Sequence, residues 1–173
     1  MSYPLRNDAL TLYAITDRYW LNGSRLADVV ENVLKNGATF LQLREKEFSH
    51  EEMVQEAMEI KEIAARYRVP FVINDDIYAA KEIDADGVHI GQSDMEYQKA
   101  RQILGPDKII GISASTLEEA VAAEKAGADY IGVGAVFPTD TKADHIPVTF
   151  EELKQITDTV SIPVVAIGGI NAD

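Results

Sequence analysis

Polar and charged side chains interrupt an apolar segment near residue 40. Gln42 and Arg44 alternate there with two leucines, and Lys46 follows them. If the segment is a strand, alternation places Gln42 and Arg44 on the same face. The planar guanidinium of Arg44 and the compact charge of Lys46 suit a diphosphate ligand. A structural salt bridge with Glu45 or with a neighbouring aspartate is the alternative.

Acidic residues follow two further apolar segments. Asn74, Asp75 and Asp76 end one segment, and Asp94 comes shortly after the next. Mg²⁺ is commonly held by one or two carboxylates together with phosphate oxygens and water, so Asp75 and Asp94 are candidate metal ligands. Helix capping is the alternative role for an aspartate at such a junction, and we assign it to Asp76. His89 is expected to be a buried core histidine, with a ligand or base role as the alternative.

Glycine and a small hydroxyl side chain mark two later segments. Gly111 and Ser113 alternate in the first, and Gly132 and Gly134 alternate in the second. A strand face built from such residues carries little side-chain volume. We therefore expect that space is left there for a ligand.

Two loops near the end of the sequence have residues that suit phosphate binding. Residues 137–142 supply two threonine hydroxyls and the positive charge of Lys142, in a loop too polar to belong to a core. A surface turn is the alternative for that loop. Gly168 and Gly169 end the last apolar segment, where glycine lets backbone N–H groups approach a phosphate closely.

The elements that must position these residues follow a regular alternation. Segments typical of strands alternate with segments whose apolar residues recur at helical spacing. Gly37 stands where a left-handed cap would end the first helix. Ser49, Thr116 and Thr149 each precede a glutamate by three residues, which is the spacing of a capping box. The predicted strands are Ala9–Thr16, Phe40–Glu45, Pro70–Asp75, Gly87–Gln92, Ile109–Ala114, Tyr130–Val136 and Pro163–Gly169, and two short helices are predicted at Ile77–Ile83 and Met95–Leu104.

Six βα units followed by a seventh strand predict an all-parallel sheet with right-handed crossovers. The natural closure is the α/β class of parallel (β/α) TIM-type barrel, with seven strands present and the eighth βα unit missing from this chain. An open doubly wound sheet is the alternative. No linker or low-complexity tract interrupts the 173 residues, so we predict a single domain over residues 1–173.

The predicted barrel also indicates where to look for function and for weakness. Functional groups of such barrels lie at the C-terminal ends of the strands, where the polar residues above are found. With seven strands, the first and the seventh each keep an unpaired edge. The apolar side chains of Val164 and Ala166, beside this gap, are then no longer covered by neighbouring elements. Marginal stability or self-association into a homo-oligomer is then expected, unless another segment fills the gap.

The overall composition excludes several kinds of partner and of chemical site. The net charge of −13 disfavours nucleic acid and anionic lipid as partners, so an anionic ligand needs a local cluster of Lys and Arg. Without cysteine there is no disulfide, thiolate metal site or thiol nucleophile. The N-terminal residues lack the pattern of a signal peptide, and no apolar run has the length of a membrane span. We expect a cytoplasmic protein.

Six short motifs, in this order and spacing, resemble those of the thiamine phosphate synthase family across nearly the whole chain. They are residues 42–46, 74–76, 89–94, 113–114, 138–142 and 167–170. The resemblance implies an enzyme that joins 4-amino-2-methylpyrimidin-5-ylmethyl diphosphate to a thiazole ethyl phosphate and releases pyrophosphate. It also implies Mg²⁺ as the cofactor and small molecules as the partners.

The resemblance implies a role for each matching residue. Arg44, Lys46, Ser113 and Lys142 are expected to act in catalysis, and Asp75 and Asp94 are expected to hold Mg²⁺. The residues expected to bind the two substrates are Gln42, Arg44, Glu45, Lys46, Asn74, Ser113, Thr139, Asp140, Thr141, Lys142 and Gly169. Of these, Thr139, Thr141 and Gly169 are expected to hold the thiazole phosphate.

The sequence departs from the family pattern at its end. It stops at Asp173, and the second phosphate loop of the family lies beyond that point. Two alternatives stay open: a relative of the thiazole tautomerases, which share the barrel but use no diphosphate, and an inactive fragment that binds phosphate ligands. The pair Asp75 and Asp94 favours the synthase.

Overall fold

The computed structural model describes residue 5 and residues 7–92, 96–139 and 147–171. Within these residues seven strands alternate with six α-helices, after a 3-10 helix at Asn7–Leu10, and a second 3-10 helix lies at Arg18–Trp20. The strands are β1 Tyr13–Ile15, β2 Phe40–Leu43, β3 Phe71–Asn74, β4 Gly87–Ile90, β5 Ile109–Ala114, β6 Tyr130–Val133 and β7 Val164–Ala166. The helices are α1 Leu26–Lys35, α2 His50–Tyr67, α3 Ile77–Glu82, α4 Tyr97–Leu104, α5 Leu117–Ala126 and α6 Phe150–Thr159.

The chain divides into two compact units, and the prediction of a single domain stays a prediction. Unit 1 comprises Met1–His89 and Lys99–Ile109, and unit 2 comprises Ile90–Gln98 and Ile110–Asp173. Unit 1 therefore contains β1 to β3, most of β4 and the first residue of β5. Unit 2 contains the remainder of β5 together with β6 and β7.

The strands of unit 1 lie side by side in the order of the chain, and they are parallel. Ile15 pairs with Gln42, and Gln42 pairs in turn with Val72. Asn74 at the end of β3 pairs with His89. The Ile109 N–H continues the sheet by donating to the Asp86 carbonyl at 2.9 Å.

The strands of unit 2 follow the same rule. Ser113 pairs with Gly132, and Gly132 pairs with Val165, all in parallel register. Strands in chain order, joined by helices and paired in parallel, are the topology of a TIM-type (β/α) barrel. The predicted fold class is confirmed, with the seven predicted strands among the described residues.

Burial separates the inner strands from the outer ones. All four residues of β2 and of β4 are buried, as expected for parallel strands covered by helices on both faces. Every residue of β1 and of β7 is only half-buried. Val164 and Ala166 are thus half-buried, and the loss of cover expected for them stays a prediction.

Helix ends follow the predicted signals, with one correction. Ser49 and Thr149 form complete capping boxes with Glu52 and Glu152. Thr116 accepts from the backbone N–H of Glu119, but the Glu119 carboxylate bonds to the Ser115 N–H at 2.6 Å instead of returning to Thr116. The predicted box at Thr116 is therefore only half formed, because a neighbouring N–H competes for the glutamate.

The predicted end of the first helix is confirmed at Gly37, whereas several predicted element boundaries differ from the structure. Gly37 has the predicted left-handed conformation, with φ 107°. The predicted strand Ala9–Thr16 is wrong at its start, because the chain forms a 3-10 turn there. In that turn the Thr11 N–H donates a hydrogen bond to the Asp8 carbonyl. Most of the other predicted strands are too long by one to three residues at an end. The predicted helix Met95–Leu104 begins at Tyr97 among the described residues.

Candidate functional site

In unit 1, Gln42 and Arg44 lie at the end of β2 as predicted. Gln42 is 2% exposed, and its Nε2 amide donates to the Tyr13 hydroxyl at 2.7 Å. Arg44 is half-buried just past the strand, and Lys46 is exposed. A buried amide is thus followed by two cationic side chains within five residues. This combination of groups suits an anionic ligand.

Glu45 pairs with a residue that the sequence did not single out. Arg18 Nε lies 2.9 Å from Glu45 Oε1, and the Glu45 side chain is only 7% exposed. Burial raises the pKa of Glu45, and the charge of Arg18 opposes that rise. Within the described part of the chain, no carboxylate lies in ion-pair range of Arg44 or Lys46. The alternative of a salt bridge between Glu45 and these two cations is therefore wrong.

The turn after β3 has a strained backbone. Asp75 has φ 64°, the left-handed region that non-glycine residues rarely adopt. Its N–H donates to the His89 carbonyl at 2.9 Å, and the Asn74 amide donates to Asp75 Oδ2 at 2.6 Å. The Asp75 side chain is exposed, whereas His89 is 9% exposed, as expected of a core histidine. Asn22, Arg68 and Asp84 also have positive φ, so the conformation of Asp75 is compatible with a functional role but is shared with other turns.

Asp76 has the capping role assigned to it. Its side chain accepts from the Ala79 N–H at 2.8 Å and so caps α3. The same carboxylate lies 3.2 Å from His50 Nδ1. Asp76 thus has the local capping role predicted for it.

The metal prediction rests on Asp75 and Asp94, and Asp94 lies outside the described residues. No group of three His, Asp or Glu side chains able to hold a metal occurs in the described ranges. An exposed carboxylate at a strand end nevertheless fits Mg²⁺, which takes most of its ligands from phosphate and water. Asp75 is compatible with that role.

In unit 2, the space expected beside Gly111 is filled. A Cβ at Gly111 would lie 2.1 Å from Cζ of Tyr130, whose side chain is fully buried. The prediction of a ligand space at Gly111 is therefore wrong, because the ring of the next strand occupies it. Ser113 remains half-buried, and its carbonyl accepts from Gln92 Nε2 at 2.7 Å.

The two glycines after β7 allow two loops of unit 2 to pack closely. A Cβ at Gly168 would lie 2.5 Å from Cβ of Ala135, and one at Gly169 would lie 2.5 Å from the Pro138 carbonyl oxygen. The Phe137 N–H donates to the Gly168 carbonyl at 3.0 Å. These glycines are therefore required by the packing of the loop that leads to Thr139, whatever they bind.

The loop after β6 is described as far as Thr139, which is half-buried, and again from residue 147. The predicted substrate-binding residues Asp140, Thr141 and Lys142 lie outside the described residues, as does Asp94. Of the predicted site residues, the structure thus places Gln42, Arg44, Glu45, Lys46, Asn74 and Asp75 in unit 1, and Ser113, Thr139 and Gly169 in unit 2.

Three residues that hold the unit 1 set were missed by the sequence reasoning. Tyr13 bonds Gln42, Thr16 bonds the backbone of Arg44, and Arg18 pairs with Glu45. Thr16 and Arg18 follow an apolar strand, which is the same pattern that singled out the residues after β2 and β3.

The described helices include none whose length and apolar character would allow it to cross a bilayer.

Comparisons with known proteins agree on one family. The sequence profile of the family described as thiamine monophosphate synthase matches residues 12–173. A thiamine-phosphate synthase from Clostridium novyi is 54% identical over 163 residues, which are 94% of this chain and 80% of the relative. One from Clostridium acetobutylicum is 50% identical over 169 residues, with coverage of 98% and 80%.

A solved structure supports the same assignment. The thiamine phosphate pyrophosphorylase from Pyrococcus furiosus aligns with a TM-score of 0.86 and 41% identity, over 95% of this chain and 78% of that one. The resemblance seen in the six motifs is thereby confirmed over most of the sequence. The chain belongs to the thiamine monophosphate synthase family and is a transferase of thiamine biosynthesis.

Proposed function

We propose that this chain joins 4-amino-2-methylpyrimidin-5-ylmethyl diphosphate to a thiazole ethyl phosphate, in a Mg²⁺-dependent reaction that releases pyrophosphate. The observation that carries the proposal is the turn of unit 1 in which Asp75 has φ 64° and an exposed carboxylate beside Asn74. A non-glycine residue in that conformation costs about 1–3 kcal/mol, which is tolerated where function needs the geometry.

The proposed diphosphate site uses the cations and amides of unit 1. Arg44 offers a planar fork of N–H donors and Lys46 a compact charge, and both groups favour phosphate oxygens. Gln42 and Asn74 add amide donors at the ends of neighbouring strands of unit 1. Mg²⁺ bound at Asp75 would neutralise part of the diphosphate charge.

The reaction needs no nucleophile or general base from the protein. The C–O bond of the pyrimidinylmethyl diphosphate breaks first, and pyrophosphate leaves with the bonding electron pair. The electron-rich aminopyrimidine stabilises the resulting benzylic-type cation. The lone pair of the thiazole nitrogen then forms the new C–N bond. Arg44 and Lys46 assist by stabilising the charge that develops on the departing pyrophosphate.

For unit 2 we propose binding of the thiazole phosphate. Thr139 and Gly169 belong to two loops that pack directly on each other. The packing is so close that a Cβ added at Gly169 would lie 2.5 Å from the Pro138 carbonyl oxygen. Backbone N–H groups of such glycine loops and threonine hydroxyls are common phosphate donors. Thr141 is proposed to complete this group.

An assay for thiamine phosphate from the two substrates, with and without Mg²⁺, tests the proposal. We expect turnover that requires the metal. Turnover that persists without Mg²⁺ would contradict the metal assignment. Binding of both substrates without turnover, in this chain and in one extended by an eighth βα unit, would instead indicate a phosphate-binding protein.

A further inference from the structure

The segment that carries Arg44 and Lys46 has no helix or strand of its own. Residues 44–49 lie between β2 and α2, outside both elements. Two long cationic side chains on an irregular segment can adopt many orientations, and fixing them costs conformational entropy. A site that uses both cations therefore needs contacts from elsewhere to hold this segment.

Thr16 supplies the first contact. Its Oγ1 accepts from the Arg44 N–H at 2.9 Å, and the hydroxyl lies 3.4 Å from the Arg44 carbonyl, to which it donates. The Thr16 N–H donates to the Gln42 carbonyl at 3.0 Å, so its backbone continues the pairing of β1 with β2. Thr16 is 6% exposed. A buried side chain thus takes both hydrogen-bonding groups of the Arg44 backbone.

Arg18 supplies the second contact. Its Nε lies 2.9 Å from Glu45 Oε1, and its Nη2 donates to Glu56 Oε2 of α2 at 3.0 Å. Its guanidinium carbon lies 4.7 Å from the centre of the Phe48 ring. Arg18 therefore touches the segment at two residues and ties it to the following helix.

The burial of Glu45 indicates that this arrangement is more than surface pairing. A carboxylate that is 7% exposed pays a desolvation cost, which a surface ion pair avoids. Its Oε1 atom is buried and has no aligned hydrogen bond among the described residues. Arg18 lies in ion-pair range of this carboxylate and offsets its charge.

We propose that Thr16 and Arg18 are positioning residues that orient Arg44 and Lys46 toward the diphosphate. This inference rests on the proposed function, because it takes the diphosphate as the ligand of these cations. Thr16 holds the backbone of Arg44, and Arg18 holds the residue between the two cations. Neither residue needs to touch the substrate.

Binding of pyrophosphate in the presence of Mg²⁺, measured by calorimetry, tests the proposal. Thr16→Val removes the hydroxyl at constant volume, and Arg18→Met removes the charge. We expect each to weaken pyrophosphate binding about tenfold or more, since small misplacements of binding groups carry large losses. Thr16→Ser restores the hydroxyl and should recover most of the affinity. In turnover assays, the KM for the pyrimidine diphosphate should rise while the KM for the thiazole phosphate changes little.

Arg25→Met is the matched control. Arg25 Nη2 lies 2.6 Å from Glu59 Oε1, so this variant also removes an ion pair to α2, but it leaves residues 44–48 untouched. We expect its pyrophosphate affinity to equal that of the unaltered protein. A loss as large as that of Arg18→Met would show that the effect is general loosening of α2 and would overturn the proposal.

The remaining outcomes separate the inference from the function on which it rests. Unchanged pyrophosphate affinity in a folded Arg18→Met or Thr16→Val protein contradicts the positioning role alone. If Arg18→Met does not fold, Thr16→Val with its serine counterpart decides the question. If the unaltered protein does not bind pyrophosphate, or if it does and Arg44→Ala leaves the affinity unchanged, the proposed function itself is contradicted, and the positioning role with it.

Discussion

The ring of Tyr130 occupies the space that any side chain at residue 111 would need. A Cβ on Gly111 would lie 2.1 Å from Cζ and 2.4 Å from Oη of Tyr130. Tyr130 is fully buried, so its ring cannot move into solvent. We expect Gly111→Ala to lower the free energy of unfolding by about 1–3 kcal/mol, the usual cost of overpacking a core. Chemical denaturation measures this.

A double-mutant cycle identifies the cause of that loss. In a Tyr130→Leu background the clashing ring atoms are absent, so Gly111→Ala should cost much less than in the unaltered protein. An equal cost in both backgrounds would show that the ring is not the reason for glycine at residue 111.

Asp75→Asn tests the metal assignment. Asparagine tolerates the left-handed conformation, so the turn and the fold should be retained. Turnover should fall by at least about tenfold, because the variant lacks the carboxylate charge that is proposed to face the metal. We expect the same of Asp94→Asn. The neighbouring Asp76→Asn is the control, since asparagine also caps helices and turnover should stay close to normal. Near-normal turnover of both Asp75→Asn and Asp94→Asn at saturating Mg²⁺ would rule out the assignment.

His50 should make stability depend on pH. Its two ring nitrogens lie 3.1 Å from Glu82 Oε2 and 3.2 Å from Asp76 Oδ2, and these hydrogen bonds raise the pKa of His50, that from Glu82 most. Because the pKa is raised on folding, the stabilisation is fully present below the ordinary value of about 6.5 and is lost as pH rises through the folded value.

The measurement for His50 compares melting temperatures across pH. The difference between the unaltered protein and His50→Gln should be larger at about pH 6 than at about pH 9. Glu82→Gln removes the largest cause of the shift and should reduce this pH dependence. A difference that stays constant or grows with pH would contradict the role of His50.

Gly168→Ala separates close packing from backbone strain. Gly168 has φ 99°, and its Cβ would also lie 2.5 Å from Cβ of Ala135. Gly23 has φ 84° with nothing within 4 Å of a Cβ, so Gly23→Ala reports the backbone cost alone, about 1 kcal/mol or somewhat more. We expect Gly168→Ala to be clearly more destabilising and to weaken thiazole phosphate binding. Equal unfolding costs for the two variants would show that the loop contact contributes nothing.

The sequence by itself determined the class of fold and the main candidates for the site. Helical and strand periodicity, the caps at Ser49 and Thr149, and the left-handed Gly37 are local properties, because each depends on residues within about one turn of helix. The polar residues at the ends of β2 and β3 were found for the same reason, since alternation and strand ends can be read along the chain. The resemblance to the family rested on these short motifs.

The tertiary structure alone decided which residues contact each other across the sequence. Gly111 was expected to leave room for a ligand, but the ring that fills the space comes from the next strand. Glu45 pairs with Arg18, 27 positions earlier in the chain, and not with the adjacent cations. Neither partner can be read from periodicity or composition, because such contacts depend on strand register and on how buried side chains share the available volume.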